Sequence, residues 1–138
     1  AAAALKAEYT LPGISQSVVI TRMAGRTPVP EKESIRSFAA HQATMVLFLS
    51  TGMLEKLSEE LVAGGYQEET PAAIVYKATW PEEKVMHCTV GTLAETAERE
   101  KVTKTALIVV GNVLNTEYER SKLYDPAFTT EFRKGKEV

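Results

Sequence analysis

Short apolar runs alternate along this chain with stretches whose apolar residues recur at helical spacing, a pattern that builds a layered α/β domain. Residues 17–22 read as a strand around Val18, Val19 and Ile20, and Pro30 suits the first position of a helix in which Ile35, Phe38 and Ala39 recur to about Ala40. Residues 44–49 hold the continuous run Met45-Val46-Leu47-Phe48-Leu49, expected of a strand covered on both faces. The next helix buries Leu54, Leu57 and Leu61, wets Glu55, Lys56, Glu59 and Glu60, and stops at Gly64-Gly65. Residues 72–78 form another buried strand, Trp80-Pro81-Glu82-Glu83 a turn, and 84–90 a returning strand. That strand alternates Val85, His87 and Thr89 against Met86, Cys88 and Val90, as an antiparallel or edge strand does. Thr92 and Glu95 match a capping box for a helix over 93–101, and Ala106-Leu107-Ile108-Val109-Val110 is the last strand. The order predicts an α/β fold with a mixed five-stranded sheet covered by helices.

The 138 residues suit one domain, and 44% hydrophobic with 25% charged residues is ordinary for a globular protein. A net charge of -2 leaves no electrostatic footprint for a nucleic-acid backbone. A single cysteine forms no internal disulfide, and no apolar run approaches the roughly 18 residues of a membrane span, so the cytoplasm is the expected compartment. The opening Ala1-Ala2-Ala3-Ala4-Leu5-Lys6-Ala7-Glu8 reads like the inside of a helix and predicts that the chain continues a longer one. Beyond Asn112 the chain turns polar and irregular, yet Tyr118, Leu123, Tyr124, Phe128 and Phe132 make it too aromatic for a disordered tail. It is expected to pack on the domain or on a neighbour.

Familiar chemistries find little support. His41, His87 and Cys88 are too few for a metal site, and the last two point to opposite faces of one strand. No Gly-x-Ser-x-Gly elbow, Walker loop or Gly-x-Gly-x-x-Gly occurs, so neither a catalytic side chain nor a metal ligand is assigned. The pairs Glu59-Glu60, Glu68-Glu69 and Glu82-Glu83 read as solvated charge. Two stretches remain. The loop Thr21-Arg22-Met23-Ala24-Gly25-Arg26-Thr27-Pro28-Val29-Pro30 stiffens two guanidinium groups between prolines; it is either an anion-holding loop or a solvated connection. Val75-Tyr76-Lys77-Ala78-Thr79-Trp80-Pro81 ends a buried strand, where α/β sheets tend to bind ligands; Ala78 admits a flat ring and Trp80 offers an aromatic wall, or else the tryptophan merely anchors a turn.

Taken together, five segments resemble the carboxyl-terminal half of the precorrin-4 C11-methyltransferase family, a branch of the tetrapyrrole methylases of cobalamin biosynthesis. They are Leu11-Pro12-Gly13-Ile14-Ser15-Gln16-Ser17, the arginine loop, Ala43-Thr44-Met45 with Phe48-Leu49-Ser50, Tyr76-Lys77-Ala78-Thr79-Trp80-Pro81, and Ser121-Lys122-Leu123-Tyr124-Asp125-Pro126 with Phe128. The resemblance implies a two-domain, homodimeric enzyme that moves a methyl group from S-adenosylmethionine to C11 of precorrin-4 or its cobalt form. It implies that Leu49, Lys77, Ala78, Thr79, Thr105, Ala106 and Leu107 line the adenosyl pocket. With the loop's composition it makes Arg22 and Arg26 candidate clamps for the carboxylate arms of a corrin precursor. Residues 1–16 would then be the end of an interdomain helix and passage, 17–114 the carboxyl-terminal domain, and 115–138 its tail. The family's amino-terminal domain, with its proline- and glycine-rich loop and Gly-Asp-Pro segment, is not in this sequence, which predicts no activity for the chain alone. Two other readings are a methylase of the same superfamily with another acceptor and a non-catalytic binding or dimerisation module.

Overall fold

A strand whose residues are nearly all apolar is stable only where both its faces are covered, and that requirement places the sequence's apolar runs at the centre of a sheet. The computed structural model of the chain describes residues 1–48, 51–114, 129, 131 and 134. Five strands appear in it: β1 (Val18–Arg22), β2 (Thr44–Phe48), β3 (Pro71–Tyr76), β4 (Lys84–Thr89) and β5 (Ala106–Val110). Their order across the sheet is β1-β2-β5-β3-β4. The first two are parallel, with Val18 opposite Thr44 and Arg22 opposite Phe48. β5 runs antiparallel to both its neighbours, and β3 and β4 form an antiparallel hairpin. The mixed five-stranded α/β sheet expected from the pattern is the one observed, with the alternating strand β4 at its edge.

The helices are α1 (Ala2–Leu5), α2 (Ile35–Ala39), α3 (Leu54–Gly64) and α4 (Leu93–Arg99). Met45, Leu47, Ala72, Ile74, Met86, Ile108 and Val110 share one face of the sheet by register. They join Ile35, Ala39, Leu57, Leu61 and Leu93 in one hydrophobic core. Burying a side chain of this size contributes roughly 1.5–3 kcal/mol, so this layer carries most of the driving force. Leu54, Leu57 and Leu61 form the buried stripe of α3 as their spacing requires, and Gly65 ends the helix with φ 127°. Below that end Tyr66 is buried and its hydroxyl donates to the Ala43 carbonyl, which ties α3 to the entry of β2.

Three local expectations need correction. Pro30 precedes a 3-10 turn, Glu31–Glu33, and α2 starts only after Ser34. Glu31-Lys32-Glu33 has nothing apolar to bury, whereas the Ser34 hydroxyl accepts from Ser37 N–H at 3.2 Å and makes the better cap. The capping box sits one turn earlier than expected, between Thr89 and Thr92. The Thr92 hydroxyl accepts from Thr89 N–H at 3.0 Å, and α4 has no side-chain cap; it ends at Arg99, short of residue 101. Finally, β3 ends at Tyr76 because Lys77 turns left-handed, with φ 45°.

At Gly64, α3 comes close against α2. A Cβ there would lie 2.5 Å from both the Ala39 Cβ and the Arg36 carbonyl oxygen. Alanine favours a helix by about 1 kcal/mol over glycine, but overpacking costs about 1–3 kcal/mol. Gly64→Ala is expected to lower stability by about 1–2 kcal/mol in urea denaturation; a raised midpoint would mean that the two helices stand further apart.

Candidate functional site

The sheet topology brings several strand ends to one place. Because β5 is antiparallel to β2 and β3, its first residues lie beside the carboxyl ends of those two strands, with the carboxyl end of β1 one strand further along the same edge. A cleft of about 340 Å³ opens there. Its walls include Lys77 and Ala78 after β3, and Thr105, Ala106 and Leu107 at the start of β5. Trp80 forms an aromatic wall, and Phe48, Gly52, Val75, Thr103 and Lys104 complete the lining. That volume is near the small end of ligand pockets, roughly 300–1,000 Å³, so it suits a nucleoside-sized group and not a whole tetrapyrrole.

Backbone shape produces this cleft. Lys77, Thr79 and Thr105 all have positive φ, at 45°, 72° and 57°, without being glycine. Such residues are uncommon and persist only where their surroundings hold them. Lys77 N–H donates to the Thr105 carbonyl at 2.8 Å, so two of the three bends are joined across the floor. Thr79 N–H donates to Glu83 Oε2 at 2.6 Å, and Trp80 N–H to the Lys77 carbonyl at 2.9 Å. Thr79 therefore belongs to the turn and does not line the cleft. Leu49 lies outside the described residues, as does the tail motif Leu123-Tyr124-Asp125.

Charge at the rim is paired. Lys77 Nζ lies 3.0 Å from Glu82 Oε1 and 5.3 Å from the ring centroids of both Tyr76 and Trp80. The hydrogen bond to Glu82 holds the Lys77 ammonium above the ordinary lysine range, and Lys77 in turn holds Glu82 below the ordinary carboxylate range. Both directions describe one ion pair. Glu82 and Glu83 are exposed, as expected of solvated charge, and they also take part in the turn.

The arginine loop is organised differently from expectation. Arg22 donates to the carbonyls of Met23, Thr27 and Pro28 at 3.3, 3.1 and 3.2 Å, so its fork knits the loop together. Arg22 also borders a second recess, about 370 Å³, with Pro28, Val29, Pro30 and Glu33. Arg26 is exposed and does not line that recess; the two guanidinium groups do not meet in one wall. Phe48 borders both recesses and stands between them. Elsewhere, burial pushes the Cys88 thiol up to about 11, against weaker opposing effects of Thr96 and Arg99, which makes it a poor nucleophile. Among the described residues no three His, Cys, Asp or Glu side chains gather as a metal site would require.

Comparison with known proteins adds the following. The profile described as tetrapyrrole (corrin/porphyrin) methylases matches residues 1–94. The cobalt-precorrin-4 C(11)-methyltransferase of Methanocaldococcus jannaschii is 53% identical over 97% of this chain and 52% of its own length. The X-ray structure of the cobalamin biosynthetic enzyme cobalt precorrin-4 methyltransferase, CbiF, superposes with a TM-score of 0.80 at 43% identity, over 83% of this chain and 48% of that one. The uroporphyrin-III C-methyl transferase of Thermus thermophilus, complexed with S-adenyl homocysteine, shares the fold at 23% identity and TM-score 0.66, over 85% of this chain and 49% of that one. The chain spans about half the length of the curated relatives it matches.

The two arginines should behave unlike each other on truncation. Arg22→Ala removes three contacts to loop carbonyls and is expected to lower stability by about 1 kcal/mol and to expose residues 23–29 to proteolysis. Arg26→Ala should change stability by less than about 0.5 kcal/mol. Urea denaturation and limited proteolysis read both, and the reverse ranking would contradict the assigned roles.

Proposed function

The chain belongs to the tetrapyrrole (corrin/porphyrin) methylases, and we propose that it is the carboxyl-terminal part of an enzyme that methylates C11 of precorrin-4 or cobalt-precorrin-4, with S-adenosylmethionine as methyl donor. The observation that carries this reading is 53% identity across 97% of the chain to a relative named for that reaction. S-adenosylmethionine would supply an electrophilic methyl group on a sulfonium, so the protein needs neither a nucleophile nor a metal of its own and contributes orientation and shelter from water.

The cleft's residues fit one end of such a donor. Ala78 leaves the backbone approachable, Ala106 and Leu107 offer apolar surface, and Trp80 offers a flat wall. A cationic sulfonium beside a bare ammonium would be repelled, but Lys77 is already paired with Glu82. Lys77, Ala78, Thr105, Ala106 and Leu107 form the adenosyl-binding wall in this reading, Leu49 joins them as the family resemblance implies, and Thr79 holds the turn beside them. Arg26 presents an exposed guanidinium to a carboxylate arm of the tetrapyrrole, while Arg22 holds the loop that displays it.

A cleft this small needs a second wall. In the relatives about half of the length lies outside the match, and that half is assigned the opposite side of the donor site. Residues 1–16 then form the passage between domains, 17–114 the domain described above, and 115–138 its tail. The same reading gives a homodimer acting in the cytoplasm. Among the described residues no helix is long and apolar enough to cross a membrane.

The test is label transfer by the full-length protein. Incubated with cobalt-precorrin-4 and methyl-labelled S-adenosylmethionine, it is expected to give a product carrying one labelled methyl group at C11. Label at another carbon would reassign the acceptor position, and no transfer to either form of precorrin-4 would overturn the proposal.

A further inference from the structure

Trp80 poses a physical question. It walls the cleft, yet 54% of its surface is exposed, so burial alone gives an indole little reason to keep one orientation. What holds it is charge. The Lys77 ammonium sits over both the Trp80 and Tyr76 rings, 5.3 Å from each centroid, and Tyr76 is fixed in the sheet as the last residue of β3. Lysine has a long flexible stem and cannot hold that place unaided. Glu82 Oε1, 3.0 Å from Nζ, supplies the remaining constraint. Glu83 meanwhile fixes the backbone of the same turn through Thr79 N–H. The two adjacent carboxylates thus divide the work: one shapes the turn, the other sets the cation.

We propose that Glu82 is a positioning residue, which clamps Lys77 between Tyr76 and Trp80 so that the indole stands as a pre-set wall for a planar aromatic base. The inference rests on the reading that the cleft receives the adenosyl group of the methyl donor. Its physical content is preorganisation: a wall already in place costs less ordering on binding than an indole free to swing. Glu82 itself touches no ligand, and its effect passes through Lys77 to Trp80.

The experiment is a double-mutant cycle on the full-length protein, with S-adenosylhomocysteine as probe in calorimetry and thermal unfolding measured alongside. Glu82→Gln keeps the side-chain volume and removes the charge; it is expected to weaken binding about fivefold, the scale of one lost cation–π contact, with the loss appearing in KM for S-adenosylmethionine and not in kcat. In a Trp80→Ala background the same change is expected to cost nothing further, because its route is already gone. A Glu82→Gln effect that persists undiminished beside Trp80→Ala, or no effect in the wild-type background, overturns the inference while the cleft reading stands. If Trp80→Ala alone leaves S-adenosylhomocysteine affinity unchanged, the placement of the adenosyl group fails and takes the inference with it. A fall in unfolding temperature with unchanged affinity would assign Glu82 to stability only, which also overturns it.

Discussion

The insertion of β5 between β2 and β3 is the constraint on which the rest of this structure depends. The last strand of the sheet fills the gap between two earlier ones and runs antiparallel to both, so the sheet's centre is complete only when residues distant in sequence come together. Val109 lies opposite both Val46 and Ala73, and Ile108 opposite Leu47 and Ile74. All six are buried, which is why none of the central strands can afford a polar alternation. The same insertion carries residues 103–107 to the end of β3, where Lys77 N–H and the Thr105 carbonyl close the floor of the cleft. Core and cleft are therefore one construction: the hydrophobic pairing that stabilises the sheet also sets the spacing of the bends at Lys77 and Thr105.

The strands and the main helix were legible because their signals are local. An unbroken apolar run such as residues 45–47 has no stable place except a covered strand, and Leu54, Leu57 and Leu61 at helical spacing leave one face to bury. The order of strands was not legible, since five apolar runs of similar length carry no information about which of them become neighbours. Helix starts were misplaced where one hydroxyl had two possible uses: Thr92 serves the turn before it instead of α4.

The site shows the same division. The Lys77-Ala78-Thr79 segment stood out by its place at a strand end, and the family resemblance added Thr105, Ala106 and Leu107. The left-handed bends at Lys77, Thr79 and Thr105 could not be read, because lysine and threonine give no glycine-like hint of positive φ. Phe48 looked like core, and only its place at the last step of β2 signalled a wall. Glu82 and Glu83 are solvated as expected, but their part in the turn was not legible, because their partners, Lys77 and Thr79, become neighbours only once the turn has formed. Arg22 reads in the sequence as a fork for a carboxylate or phosphate, whereas the oxygens it holds are carbonyls of its own loop.

These features fit the half-site proposed above: a small cleft, partly apolar, with compensated charge at its rim and a hydrogen-bonded backbone floor, in a chain that spans about half the length of the relatives it matches. In the proposed reading, residues 77–80 and 103–107 form one wall of the methyl-donor site. Amide hydrogen exchange, resolved by residue on the full-length protein with and without S-adenosylhomocysteine, tests this most directly. The account predicts slowed exchange concentrated in those two segments on binding; slowing confined to other segments, with these two unchanged, would contradict it.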